Sequence, residues 1–247
     1  GIKDLFSFQT IFNLAKKIET QSKGLFLPSI EVQPKLGRVP LSFSQERLWF
    51  IDRLEGSVQY HIPSILRLKG KLNEEALKNA LESIIYRHEV LRTVILQDEG
   101  EAYQFIKDTD KWSLKITDGS VYENDPESLI NYINESINSP FDLSKDFMLR
   151  AELIKLSNDE NILSVTMHHI ASDGWSTSLI AGELAELYNS YIEKREPHLE
   201  SLHVQYSDYA VWQRKNLNEK YLENKLVYWK NHLEGLEPLQ LPVDFAR

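Results

Sequence analysis

The chain has 247 residues, 42% of them hydrophobic and 26% charged, a balance that can bury a substantial core. A formal charge of −9 with no basic run argues against a nucleic-acid or anionic-membrane partner. The absence of cysteine rules out disulfides and a cysteine nucleophile on this chain and fits a reducing cytoplasm, and neither a membrane-spanning stretch nor a signal peptide is expected.

Residues 1–23 read as a short amphipathic unit, in which Thr10 is placed to cap a helix with Ile11, Phe12, Leu14, Ala15 and Ile18 on one face. A helix of that length cannot make a core alone, so it either packs on the main domain or is the last helix of a domain upstream. Residues 24–40 hold three prolines and little periodicity, which suits a linker. A helix then starts near residue 41, with Ser44 as its expected cap and Leu48 and Trp49 facing the core. Residues 60–68 read as a strand, and Asn73 caps a helix to about residue 86 with Leu77, Ala80, Leu81, Ile84 and Ile85 aligned. After Arg87-His88-Glu89-Val90-Leu91-Arg92-Thr93 comes a hairpin of residues 94–97 against 102–106, then a candidate strand at 112–117. Asp125 and Pro126 open a helix to about residue 137. A strand from 147 to about 155 turns at Asn158-Asp159-Glu160 into the β-branched, apolar residues 161–167. Helical spacing returns over 177–192, and a last helix over 219–233 precedes a chain crossing at 239–244.

Chemistry concentrates at Met167-His168-His169-Ile170-Ala171-Ser172-Asp173-Gly174-Trp175-Ser176, where the buried strand ends and a helix begins. Adjacent strand residues point to opposite faces, so one histidine should face packed protein and the other an opening. Asp173 could orient an imidazole or pair with a buried arginine, and Gly174 allows close backbone approach to a reacting group. A zinc site needs three or four convergent ligands, which two diverging histidines without cysteine do not supply. Ser172 and Ser176 lack the Gly-x-Ser-x-Gly turn that exposes a nucleophile. Two readings remain: a tight turn that holds a buried, hydrogen-bonded histidine, or one histidine acting as base or hydrogen-bond partner to a nucleophile brought by the substrate.

This stretch resembles the His-His-x-x-x-Asp-Gly signature of nonribosomal peptide synthetase condensation domains. Its His-x-x-x-Asp-Gly core is shared with acyltransferases related in fold to chloramphenicol acetyltransferase. Leu41-Ser42-Phe43-Ser44-Gln45-Glu46-Arg47-Leu48-Trp49-Phe50-Ile51 is similar to the family's first motif, with Phe43 where alanine or proline is commoner. Residues 87–93 match the second motif. Gln205-Tyr206-Ser207-Asp208-Tyr209-Ala210-Val211-Trp212-Gln213 resembles the fourth and reads as an aromatic helix face packed in the core. Asp146-Phe147-Met148 stands where glycine-proline-leucine is usual. Residues 5–18 resemble the end of a peptidyl carrier domain, with Gln9 in place of a usual proline and without the Gly-Gly-x-Ser that carries phosphopantetheine.

The resemblance implies an α/β (α+β two-layer) fold, a chloramphenicol-acetyltransferase-like lobe with a mixed sheet flanked by helices. It divides the chain into a carrier's C-terminal helix (1–23), a linker (24–40) and the N-terminal lobe of a condensation domain (41–247). It implies peptide-bond formation, L donor to L acceptor, with His169 at the attacking amine, His168 and Asp173 holding the loop, and a Gly174 amide near the oxyanion. Arg87, with Arg92 as the fallback, would form a buried ion pair with Asp173, and Trp175 would support the site. No metal or cofactor is expected on this chain; 4′-phosphopantetheine would be carried by upstream donor and downstream acceptor peptidyl carrier domains. The second lobe and an adenylation domain would be further partners. An ester-forming acyltransferase of the same fold and a non-catalytic docking module are the alternatives.

Overall fold

The structure is a computed structural model, described for residues 6–21, 27–34, 38–217 and 219–237. The chain divides into two compact units, Glu31–Lys215 and a second made of Gly1–Ile30 with Asn216–Arg247.

The larger unit is built on a four-stranded mixed sheet in the order β2-β7-β6-β5. β6 (Leu149–Ser157) and β7 (Glu160–His168) form its antiparallel centre, β2 (His61–Lys69) pairs antiparallel with β7, and β5 (Lys115–Asp118) runs parallel to β6. Leu149, Ala151 and Leu153 of β6 join Leu163, Val165 and Met167 of β7 in the main core. α3 (Glu74–Arg87) adds Leu77, Ala80, Leu81, Ile84 and Ile85 to it, the residues that its periodicity aligned, and α5 (Gly174–Glu193) adds Leu187. The alternate strand positions Ile154, Leu156 and Ile162 pack with Ile133 of α4 (Pro126–Asn138), so helices cover the sheet on both faces. A smaller antiparallel sheet, β1-β4-β3, contains β1 (Val39–Pro40), β3 (Thr93–Asp98) and β4 (Glu101–Ile106). This is the expected α/β lobe, a mixed sheet flanked by helices.

Local signals explain most element ends. Asn73 and Asp125 cap α3 and α4 as expected, through Ala76 N (3.0 Å) and Ser128 N (3.1 Å). α2 (Phe43–Glu55) is capped by Ser42 rather than Ser44. The reason is Gln45: Ser42 Oγ accepts from Gln45 N (3.1 Å) while Gln45 Oε1 accepts from Ser42 N (3.0 Å), a reciprocal box open only to Ser42. β5 starts at Lys115, three residues later than expected, because Trp112 is drawn into the core, where its indole N–H donates to Leu149 O (2.9 Å). α5 starts at Gly174, three residues early, because Asp173 is its cap.

α6 (Tyr206–Asn216) corrects the fourth-motif reading. Its buried side is Ser207, Asp208, Ala210 and Gln213, and Tyr206, Tyr209 and Trp212 are only half-buried. In the smaller unit, α1 (Ile11–Gln21) follows Thr10, whose Oγ1 accepts from Asn13 N (3.2 Å), and α7 spans Glu219–Leu233. Residues 1–5, 22–23 and 239–244 lie outside the described residues. Among the described residues, no helix is long and apolar enough to cross a membrane.

Candidate active site

β7 carries its alternation to its last residue. Met167 belongs to the core shared with α3 and α5, so His168 turns to the other face, and His169 leaves the strand. His168 is fully buried as the last residue of β7, and His169 is exposed because it stands in the turn beyond the strand.

The contacts of His168 determine its protonation. Ile170 N donates to Nδ1 (3.1 Å), so this nitrogen carries a lone pair and the ring proton sits on Nε2, which donates to Ser57 Oγ (2.9 Å). Phe141 and His61 pack edge-on at centroid distances of 5.7 and 5.9 Å. Burial, aided by the charges of His61, His169 and Arg150, pushes the imidazole down to about 4, so it is neutral near pH 7. The backbone wraps the same residue: its amide donates to Met148 O (3.1 Å), and its carbonyl accepts from Ala171 N (3.0 Å) and Ser172 Oγ (3.2 Å). His169 is held through its backbone, N–H to Tyr60 O at 2.9 Å, with the Tyr60 ring edge-on at 6.5 Å.

Asp173 is exposed and caps α5. Its Oδ1 accepts from Ser176 N (2.8 Å) and Ser176 Oγ (2.7 Å), and those bonds hold its carboxyl below the usual range. The expected ion pair with Arg87 does not form, nor does the Arg92 alternative. Arg87 Nε pairs with Glu183 Oε1 (3.1 Å), and His88 Nε2 donates to Glu183 Oε2 (2.6 Å). Arg92 lies 3.7 Å from Glu89 and donates to Lys107 O (2.6 Å). Glu183 comes from the helix packed beside α3 and so meets Arg87 directly, while Asp173 is exposed and bonded within its own helix. The signal for Glu183 was present: it shares a helical face with Ile180, Leu184 and Leu187, which turn inward.

Gly174 opens α5, where amides lack intrahelical acceptors, and a Cβ built there would meet no described residue within 4 Å. Trp175 is 78% exposed, and its carbonyl accepts from Ser178 Oγ (2.9 Å). Ser172 is buried and bonded to His168 O, which removes it as a nucleophile. Two cavities of about 670 and 700 Å³ are lined by neither His169 nor Asp173. Among the described residues, no group of three or more His, Asp or Glu could hold a metal ion. The motif therefore presents an open imidazole beside a helix N-terminus, backed by a locked neutral one. Ser57, 111 residues from His168, carries no sequence signal for this role.

The family model described as the condensation domain matches residues 35–247. One of the proteins that make up the linear gramicidin synthase of Brevibacillus parabrevis is 37% identical over 254 residues, covering all of this chain and 3% of that protein. The dimodular nonribosomal peptide synthase of Bacillus subtilis (strain 168) is 35% identical over 254 residues, covering all of this chain and 10% of that protein. The chain thus spans a small fraction of such curated relatives. Among solved structures, the X-domain in its complex with OxyB from teicoplanin biosynthesis superposes with a TM-score of 0.77 at 32% identity, over 90% of this chain and 49% of that one. The first condensation domain of the CDA synthetase gives a TM-score of 0.68 at 22% identity, over 84% of this chain and 53% of that one, a likeness of fold.

Proposed function

This chain belongs to the condensation domain family, and from that premise we propose that it is the first lobe of an amide-forming acyltransferase of nonribosomal peptide synthesis. The acceptor's α-amine attacks the thioester carbonyl of a donor held on a phosphopantetheine arm. The C–N bond forms, the C–S bond breaks, and the departing thiolate takes up the proton that the amine gives up. The nucleophile belongs to the substrate, so no acyl-enzyme is needed, in keeping with a buried Ser172.

The observation that carries the reading is the exposed His169, at the strand end before α5, beside a histidine that cannot take a proton without losing its bond from Ile170. Of the two, only His169 is placed to meet an amine, as base or as orienting acceptor. General-base help is worth about 10²–10⁴-fold. The Gly174 amide, at the positive end of α5, is our candidate donor to the developing oxyanion.

We assign residues 1–23 to the end of a peptidyl carrier domain. The family model begins only at residue 35, while the alignment to the gramicidin synthase covers the whole chain, so the earlier residues correspond to sequence preceding that domain. The partners that follow are donor and acceptor carriers bearing 4′-phosphopantetheine, a second lobe and an adenylation domain, in the cytoplasm. The subtype we assign is L donor to L acceptor.

The test is a condensation assay with loaded donor and acceptor carriers, on this chain and on a form extended downstream, each with His169→Ala. Dipeptidyl thioester formed by the extended form and lost with His169→Ala supports the reading. Equal yield with and without His169 overturns it. A hydroxyl acceptor used in preference to an amine would turn it toward ester formation. A docking role is the second reading, because a solved relative at 32% identity was obtained as a complex with OxyB. Carrier binding without product in any form would favour it.

A further inference from the structure

One turn of chain holds both motif histidines. α2 ends at Glu55, Gly56 reverses the chain at φ +79°, and Val58–Tyr60 forms a short 3-10 turn before β2. From this turn Ser57 Oγ accepts the Nε2–H of His168 at 2.9 Å, and the Tyr60 carbonyl accepts the amide of His169 at 2.9 Å. Ser57 is 4% exposed, and its Oγ also lies 2.5 Å from Asp52 Oδ1, in the last turn of α2.

The direction of every hydrogen in this chain of contacts is forced. The Ile170 amide occupies the lone pair of Nδ1, so the His168 proton lies on Nε2. Ser57 must therefore accept from the imidazole, and its own hydroxyl hydrogen goes to the Asp52 carboxylate, an acceptor only. The order is Ile170 N–H to His168 to Ser57 to Asp52. It runs opposite to an activated serine, whose proton would move toward histidine. Ser57 is no nucleophile, and Asp52 is the anchor.

We infer that Asp52 and Ser57 are positioning residues for His169: they lock His168 in one tautomer and, with the Tyr60 carbonyl, set the backbone of residues 168–170 from which His169 projects. The inference rests on the proposed role of His169. Removing the Ser57 hydroxyl leaves a buried Nε2–H without an acceptor, and a rotated imidazole would also release the Ile170 amide, one residue past His169. A misplacement of about 1 Å costs on the order of 10²-fold in rate.

The experiment pairs the condensation assay with ¹⁵N-resolved imidazole NMR of this chain. Ser57→Ala should lower kcat about 10–10²-fold with little change in the KM for the acceptor, and should abolish the protected Nε2–H signal of His168. Ser57→Thr keeps the hydroxyl and should restore both. Asp52→Ala should lower kcat by a smaller factor, and Asp52→Asn, which keeps an acceptor oxygen, should stay near the parent. Should Ser57→Ala fail to fold, half-buried Asp52 carries the same test. The inference is overturned if folded Ser57→Ala or Asp52→Ala keeps kcat within about twofold while His169→Ala is inactive, or if Ser57→Ala keeps the His168 signal. A fully active His169→Ala overturns the reading of His169 instead, while the NMR result still reports on the tautomer lock.

Discussion

His168 links the sequence to a measurable property of the folded chain. In the unfolded chain its imidazole takes the ordinary value of 6.5, and in the fold burial lowers it to about 4. Between those values the unfolded state binds more protons, so stability is flat above about pH 6.5 and falls as pH drops toward 4. The loss from this group amounts to about 3 kcal/mol. His61 is shifted the same way, mainly by burial, and adds to the slope with the same sign. Asp173 acts in a lower window: its depressed carboxyl contributes above its ordinary value and loses that contribution as pH falls through the folded value. Urea unfolding at pH 7 and pH 4.5 should show the His168 loss, and His168→Asn should be less stable at pH 7 yet flatter across this range. A parent chain equally stable at both pH values would refute the buried neutral imidazole. The split between a buried and an open histidine was legible in the sequence, because the buried strand ends at His168 and His169 stands in the turn beyond it. The partner of His168 was not, since only tertiary folding brings Ser57 across 111 residues.

At the level of the elements, the same locality separates what was readable from what was not. Asn73, Asp125 and the apolar face of α3 are read from neighbours a turn away, and they hold in the structure. The arginine pairing is a contact between helices, and there the expectation of Asp173 failed in favour of Glu183. The two arrangements predict different energetics. As an exposed N-cap, Asp173→Ala should cost about 1 kcal/mol and Asp173→Asn close to nothing, because asparagine caps equally well. Glu183→Ala removes charged partners from both Arg87 and His88 and should cost about 1.5–3 kcal/mol. A double-mutant cycle on unfolding should find coupling between Arg87 and Glu183 and none between Arg87 and Asp173. Coupling of Arg87 to Asp173 above about 0.5 kcal/mol would restore the rejected pair.

Across the whole lobe, the motifs spread over residues 41–213 form one connected network, and α6 is its hub. Asp208, 2% exposed, accepts from Gln33 N (2.9 Å) and Gln205 N (2.7 Å), which ties the segment before β1 to this helix. Gln205 reads the second motif as a peptide would: its Oε1 accepts from Glu89 N (3.1 Å) and its Nε2 donates to Arg87 O (3.0 Å). Gln213 Oε1 accepts from Phe43 N (2.9 Å), Tyr206 meets Ser42 at 3.0 Å, and Arg214 Nε donates to Leu41 O (2.7 Å), which secures the first motif. Glu183 then links the second motif to α5, the helix that follows the histidine motif. The resemblance of α6 to a family motif thus reports an internal clamp made of polar side chains. Its apolar periodicity could not disclose that, because the buried side of the helix is polar. Gln205→Ala removes the bonds to Glu89 N–H and Arg87 C=O and should cost about 1–3 kcal/mol in urea unfolding. Asp208→Ala should cost a similar amount, by orphaning the amides of Gln33 and Gln205. Because both changes release the same residue, the double variant should lose less than the sum by about 0.5 kcal/mol or more. If the two losses add instead, α6 holds its neighbours through independent contacts, and the motifs are joined pair by pair.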